Sequence, residues 1–436
     1  MILRSAVLDV PKPDSPRFLP AAEITVDERR GTIARIEPLP VAPGFPFPAS
    51  LLIPGLVDLH AHLPQLPVVA RREDSLLPWL ERHVFPAEKR FTAAVRTEED
   101  LAAEIDAFFA DLAANGITTA VLYSAIWEDT TRLAFETAAR RGHRAVIGKT
   151  MMDEGSYGAA QPIRARRLSI AESRRLAADW HGANGGLLEY AVSPRFAVTC
   201  SMELMREAAA LAREFDCFIQ THLSENHAEI ETVRRRFPEA RDYTDVYDRA
   251  GLLGPKTILG HCLHLSPREI DAIAACGASI AHCPTSNFFL NSGLCPLDRL
   301  LGAGIRTGLA SDVAGGPELN PFQVMRSAIE TQKARRFHDP QVPELTPARA
   351  FHLATAAAAA VLGKQDRIGR VEPGFDADLV EIDLPSLLPQ SARSTAAANV
   401  SSSPLDAQAI LSLLVHRGHP AAIRRTLVRG REMNAK

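Results

Sequence analysis

Between residues 56 and 363 a short apolar run recurs eight times, and each recurrence is followed by a stretch with helical spacing of its apolar residues. The runs are Leu56–His62, Thr118–Ser124, Arg144–Lys149, Leu188–Ser193, Cys217–His222, Thr257–His261, Ser279–His282 and Arg306–Ala310. Several are continuously apolar rather than alternating, the pattern of strands buried on both faces of a parallel sheet. The intervening segments carry helix signals. Glu98–Ala114 stops at Asn115-Gly116, and Thr131–Arg141 stops at Gly142. Ser266-Pro267-Arg268-Glu269 is a capping box with proline at the first helical position, and its helix stops at Gly277. Thr346-Pro347 opens a further helix running to Gly363. Eight such alternations over about 300 residues predict an α/β fold, a (β/α)8 barrel. Periodicity alone leaves a doubly wound open sheet as the alternative.

The two ends differ from this pattern. Residues 1–52 contain Ala22–Val26 and Thr32–Ile36 as short strands among proline-rich turns, and residues 368–436 contain Leu379–Asp383 and Thr426–Val428. Neither end is large enough for a good core of its own. Both are therefore expected to pair into one small composite β domain, beside a barrel domain of residues 53–367. Leu388 to Leu405, rich in Ser and Ala, reads as a loop.

Composition removes several function classes. The 436 residues are 46 % hydrophobic and 23 % charged, which excludes intrinsic disorder as the main character. Lys and Arg number 49 against 52 Asp and Glu, a net charge of −3, which argues against nucleic-acid binding through a broad basic surface. No apolar run reaches the roughly 18 residues of a membrane helix, so no membrane partner is expected. Met1 to Asp9 lacks the apolar core of a secretory signal. The six cysteines, with no C-x-x-C pair, read as reduced thiols of a cytoplasmic protein.

Five polar residues stand where this reading places the C-terminal ends of barrel strands, the face that carries active sites. His60 and His62 end the first strand, His222 the fifth and His261 the sixth, while Asp312 follows the eighth. Residues two apart on a strand point to one face, so both imidazoles of His60-Ala61-His62 can reach one ion. Neutral imidazole suits zinc, a carboxylate adds charge neutralisation, and iron fits similar donors. Four histidines and an aspartate leave room for a water whose pKa the ion would lower towards about 7. A single histidine at a strand end is more often a hydrogen-bonded core residue. The conjunction of five at predicted strand termini carries the metal reading.

Pro54-Gly55-Leu56-Val57-Asp58-Leu59-His60-Ala61-His62 resembles the first-strand motif of the amidohydrolase superfamily, and Gly369 to Asp383 resembles its C-terminal segment. Further segments are similar to its guanine deaminase branch: His62-Leu63-Pro64-Gln65, Ser75 to Phe91, Ser193-Pro194-Arg195-Phe196, Thr221 to Asn226, His282 to Gly293, and Ser311 to Gly316. The resemblance implies that His60, His62, His222 and Asp312 hold one zinc, with His261 a fourth histidine at the site. It implies that Glu225 is the proton shuttle and His282 a histidine polarising the attacked carbon's substituent. Gln65, Arg195 and Phe196 match residues that hold a purine. The implied reaction takes guanine to xanthine and ammonia in a cytoplasmic homodimer. The fourth predicted strand ends Ala191-Val192-Ser193-Pro194-Arg195 without the lysine that bridges two metals in other members, which favours one ion. One segment departs from the family. The stretch Asp153-Glu154-Gly155-Ser156-Tyr157-Gly158 lacks the usual Arg-Asn pair, which leaves open a pterin, another aminopurine or a triazine-like heterocycle. A barrel that binds metal without catalysis is the non-enzyme alternative, and Glu225, which ligation does not require, speaks against it.

Overall fold

Seven strands from the two ends of the chain make one sheet. Its N-terminal members are β1 (Ile2–Lys12), β2 (Ser15–Asp27), β3 (Thr32–Pro38) and β4 (Leu51–Pro54), and its C-terminal members are β14 (Leu379–Ile382), β15 (Ile423–Val428) and β16 (Arg431–Glu432). The order is β16-β15-β14-β4-β1-β2-β3. The two ends meet at the antiparallel β4–β14 ladder, where Leu51 pairs with Ile382 and Pro54 with Leu379. Val7, Ile24, Ile33, Leu52, Leu379 and Leu427 are buried together in its core. This computed structural model describes residues 1–41, 48–155, 157, 163–390 and 406–433.

The sheet is larger than the sequence pattern suggests. Residues 2–12 carry no alternation because β1 is buried almost continuously from Ala6 to Val10. The first half of β2 is hidden by Pro16 and Pro20. That half is tolerable for proline because β3 pairs only with Ala22–Asp27, leaving residues 15–20 on an open edge.

A second sheet holds eight parallel strands: β5 (Leu56–His62), β6 (Ile117–Tyr123), β7 (Arg144–Gly148), β9 (Leu188–Pro194), β10 (Phe218–Leu223), β11 (Thr257–His261), β12 (Ser279–His282) and β13 (Thr307–Leu309). A two-residue strand, β8 (Thr150–Met151), pairs with β9. Each of the eight starts and ends within one residue or two of its predicted span. Two backbone bonds close the ring: Asp312 N–H donates to His60 O at 2.8 Å, and His62 N–H to Val313 O at 2.7 Å. The barrel, rather than the open sheet, is therefore the fold.

The helices Glu98–Ala114 and Pro267–Cys276 have the predicted limits, the latter with its capping box formed at both ends. The predicted helix from Thr346-Pro347 to Gly363 is two helices, Pro347–Leu353 and Ala356–Val361. Val57 N–H donates to Ala354 O, and Thr355 leaves helical geometry with its hydroxyl on Phe351 O, so helical continuation is lost there. Of the predicted loop Leu388 to Leu405, residues 391–405 lie outside the described residues. None of the six cysteines forms a disulfide. Among the described residues no helix is long and apolar enough to cross a membrane.

The chain divides into two compact units: Met1–Asp58 with Ala110–Thr119 and Leu319–Lys436, and Leu59–Phe109 with Ala120–Glu318. Every candidate site residue belongs to the second.

Gly148 shows how tightly the barrel interior is filled. A Cβ there would lie 1.8 Å from Ser193 Oγ and 2.5 Å from the Ala191 carbonyl. Gly148→Ala is expected to cost about 1–3 kcal/mol through overpacking. A thermal melt should show a midpoint several degrees lower, and an unchanged midpoint would mean that β7 shifts freely.

Candidate active site

Strand ends carry the cluster. His60 and His62, two apart on β5, turn their Nε2 atoms to within 3.1 Å of each other. His222 near the end of β10 brings its Nε2 to 3.2 Å from that of His62. Asp312, three residues past β13, places Oδ1 3.2 Å from His60 Nε2 and 3.3 Å from His62 Nε2. His261, the last residue of β11, has Nε2 3.8 Å from Asp312 Oδ2. Donor atoms of His60, His222, His261 and Asp312 all lie within 4.8 Å of one another. His261 and Asp312 reach these positions with φ of 69° and 50°, left-handed values that non-glycine residues adopt at a cost of order 1 kcal/mol.

The donors suit a cation. Nitrogen ligands about 2.0–2.1 Å from a tetrahedral ion stand roughly 3.3 Å from each other, close to the spacing among His60, His62, His222 and Asp312. Outer partners turn two lone pairs inward. His222 Nδ1–H donates to Arg195 O at 2.8 Å, and His261 Nδ1–H to Asn287 Oδ1 at 3.0 Å. His261 Nε2 is then a buried acceptor with no hydrogen-bond partner. Burial lowers the pKa of His62 to about 4 and that of His222 well below its usual value, so both imidazoles are neutral. Burial also pushes the Asp312 carboxyl up, but the hydrogen bonds from His60 and His62 prevail and hold it well below the carboxylate range. Neutral imidazoles around one carboxylate are a zinc-type donor set.

Glu225, in the loop after β10, is only 2 % exposed. Its Oε1 accepts from Ser292 Oγ at 3.1 Å, and its Oε2 lies 3.4 Å from His261 Nε2. Burial, then the nearby Asp312 charge, pushes its pKa up to about 8.

His62, His222, Glu225, His261 and Asp312 together line one small cavity. Gln65, Arg195 and Phe196 also line it, as do Leu76, Trp79 and Leu290. The ring of Phe196 lies 6.1 Å from that of His222. Trp79 is both wall and packing, its indole N–H donating to Arg71 O at 2.8 Å. His282 ends β12 as expected, but it is fully buried and forms no part of this wall. Burial, with His261 adding, lowers its pKa to about 3, and neither ring nitrogen has a hydrogen-bond partner.

Sequence reasoning missed Glu88. Its Oε2 accepts from Arg195 Nη1 at 2.6 Å and its Oε1 from Gln65 Nε2 at 2.8 Å, all three residues being buried. The available signal was indirect: a guanidinium inside a barrel needs a buried carboxylate, and Glu88 lies in the Ser75–Phe91 segment. Asn287 and Ser292, which orient His261 and Glu225, were likewise unassigned. In the departing segment, the Asp153 carboxylate accepts from Ser201 N–H and Oγ–H at 2.8 and 2.6 Å. Ser156 and Gly158 lie outside the described residues.

The Amidohydrolase family model matches residues 51–433. The chain belongs to this family. Among the amidohydrolases it resembles, the guanine deaminase of Escherichia coli (strain K12) is 36 % identical over 338 residues, 77 % of this chain and 73 % of that one. A probable guanine deaminase of Deinococcus radiodurans is 37 % identical over 332 residues, 76 % and 73 % of the two chains. The crystal structure of guanine deaminase from C. acetobutylicum with guanine bound in its active site superposes with a TM-score of 0.87 at 28 % identity, covering 99 % of each chain.

Close packing around the cluster gives a direct test. A Cβ on Gly260 would meet His60 Cε1 at 3.0 Å and Nδ1 at 3.3 Å. Gly260→Ala should displace the His60 ring by tenths of an ångström and weaken metal retention by roughly ten- to a hundred-fold. Chelator competition followed by elemental analysis reads this directly. Retention equal to wild type would mean that His60 adjusts without loss.

Proposed function

We propose that this amidohydrolase hydrolyses the exocyclic C–N bond of guanine, releasing xanthine and ammonia. One observation carries the reading. One small cavity is lined by His62, His222, His261, Asp312 and Glu225 together with Arg195 and Gln65, whose Oε1 has no hydrogen-bond partner. The guanine deaminases that the chain resembles support the choice of substrate.

His60, His62, His222 and Asp312 would hold one divalent ion, with His261 beside them; zinc suits the donors best and iron also fits. Such an ion supplies, when bound, the Lewis acidity that makes water a nucleophile at neutral pH. The protein's own groups handle protons and orientation. Asp312, held as a carboxylate, accepts the proton of the attacking water. Because Ser292 donates to Glu225 Oε1, the proton of the neutral acid sits on Oε2. From there Glu225 donates to the ring nitrogen next to the attacked carbon, then takes the proton of the hydroxyl added at that carbon and passes it to the departing amino group, and the proton held by Asp312 restores the acid. The water oxygen bonds to carbon, the C–N bond breaks, and nitrogen leaves as ammonia. Arg195 donates to the purine carbonyl, Gln65 Oε1 accepts a ring N–H, and Phe196 flanks the ring plane. His282, neutral and not among the lining residues, is given no part in these steps. We further place the protein as a homodimer in the cytoplasm acting in purine breakdown. Cysteines without disulfides agree with a reducing compartment, and twofold dimers are the commonest oligomers. Light scattering at twice the chain mass tests the dimer.

Ammonia release from aminated purines, pterins and triazines, measured on protein of known metal content, tests the substrate. Guanine should be turned over far faster than the rest with about one ion per chain. Preference for another heterocycle would overturn the guanine assignment. Glu225→Gln should lower kcat by roughly 10²–10⁴-fold while leaving metal content unchanged. A variant that keeps wild-type turnover would remove Glu225 from the chemistry.

A further inference from the structure

We propose that Glu88 is a positioning residue that sets which edge of a heterocycle the cavity accepts, by fixing the hydrogen-bonding sense of Gln65 and Arg195 together. The inference rests on the deaminase reading above and concerns a residue that stands behind the cavity wall without lining it. Glu88 is 1 % exposed, and its two carboxylate oxygens are divided between two wall residues. Oε2 accepts from Arg195 Nη1 at 2.6 Å, and Oε1 accepts from Gln65 Nε2 at 2.8 Å. The Tyr157 hydroxyl lies against the same carboxylate, and the Glu88 carbonyl accepts from Trp127 Nε1 at 3.1 Å. The side chain is thus anchored from several directions.

The consequence follows from donor and acceptor counting. A glutamine amide can present either its oxygen or its nitrogen to a neighbour, and its surroundings decide which. A carboxylate in an ion pair can only accept. Gln65 must therefore turn Nε2 towards Glu88, which leaves Oε1 as the group without a partner in a residue that lines the cavity. Arg195 has only donors, and Nη1 is engaged by Glu88, so whatever polar group it presents to the cavity it lines is a donor. The wall offers an acceptor and donors in a fixed arrangement. A ring lactam, with an N–H beside a carbonyl, complements it. An amidine edge, with an amino group beside a bare ring nitrogen, has donor and acceptor exchanged. With the reacting carbon held at the cluster, that edge cannot be turned end for end. Buried groups that face their like remain unpaired, at a cost of tenfold or more in affinity.

Glu88→Gln tests this without removing a group that touches substrate. The amide at position 88 both donates and accepts, so Gln65 is released to turn over and Arg195 loses its charge partner. The assay compares guanine with 2,6-diaminopurine, which keeps the reacting amino group and replaces the lactam by an amidine. Wild type should prefer guanine strongly in kcat/KM. In Glu88→Gln that ratio should fall about tenfold or more, through KM for guanine more than through kcat, with metal content unchanged. Glu88→Asp, which keeps the carboxylate, should restore part of the ratio. Equal losses on both substrates, or a preserved ratio, would overturn the role. Should Glu88→Gln fail to fold, Gln65→Met removes the oriented amide at similar volume and should also lower the ratio; a preserved ratio there overturns it equally. Metal-loaded wild type with no guanine turnover overturns the deaminase reading and this role with it. Wild type active on guanine, with a variant that keeps its ratio, overturns the role of Glu88 alone.

Discussion

The pair of backbone hydrogen bonds between His60 O and Asp312 N, and between His62 N and Val313 O, joins the last barrel segment to the first strand at the candidate metal cluster itself. Closing the sheet and assembling the site are one event. Asp312 reaches His60 and His62 because its own main chain is bonded to theirs, and a left-handed φ then directs its carboxylate inward. A barrel leaves no free strand edge, and here the closing edge is spent on the chemistry. Strain at Asp312 and His261 is affordable only because the surrounding strands over-determine their positions.

Around that ring lies a shell of buried polar groups with specific orienting tasks. The Tyr247 hydroxyl donates to His222 O at 2.6 Å, accepts from Ala197 N–H at 3.1 Å and meets Thr221 Oγ1 at 3.1 Å. It thereby ties β10 to the turn after β9. Glu229 accepts from the Glu225 and Asn226 amides and from Tyr243 Oη, which makes the capping box of helix His227–Arg236 the mount of Glu225. Burial, with Glu225 nearby, raises the pKa of Glu229 to about 7. Such a network is stabilising only when satisfied, since each buried group left unpaired costs about 1–3 kcal/mol. The bonds to Glu229 and Tyr247 explain how one short loop can hold Glu225 and His222 three residues apart.

What the sequence revealed and what it concealed divide along physical lines. Barrel strands were legible because parallel strands must be continuously apolar, and the cluster was legible because ligands must stand at their C-terminal ends. His60, His62, His222, His261 and Asp312 all obey both rules. Glu88 obeys neither. It lies on the short helix Phe85–Lys89, outside the strand pattern, and nothing local marks a glutamate as buried. Its pairing with Arg195 spans 107 positions and exists only once the barrel has formed. Strand β1 was hidden for a related reason, since burial on both faces erases alternation in a segment where antiparallel pairing would lead one to expect it. The break at Thr355 was invisible because Ala354 O is claimed by Val57 N–H, a long-range competitor that no propensity encodes.

The site is therefore built from two kinds of parts. The groups proposed for the chemistry stand at strand ends, whose positions the barrel geometry fixes. Of the residues proposed for recognition, Gln65 lies on the excursion between β5 and helix Glu98–Ala114, beside Trp79 and Glu88, and that excursion meets the barrel through Arg195 just past β9. An excursion of this kind can change without disturbing strand register, whereas the cluster cannot. The ionic link between Glu88 and Arg195 couples the two: without it a guanidinium buried at the barrel rim would have no counter-charge, a loss of several kcal/mol. The contact proposed to orient Gln65 and Arg195 thus also ties the excursion to the barrel, and on that proposal a change of substrate edge must keep a carboxylate within reach of Arg195.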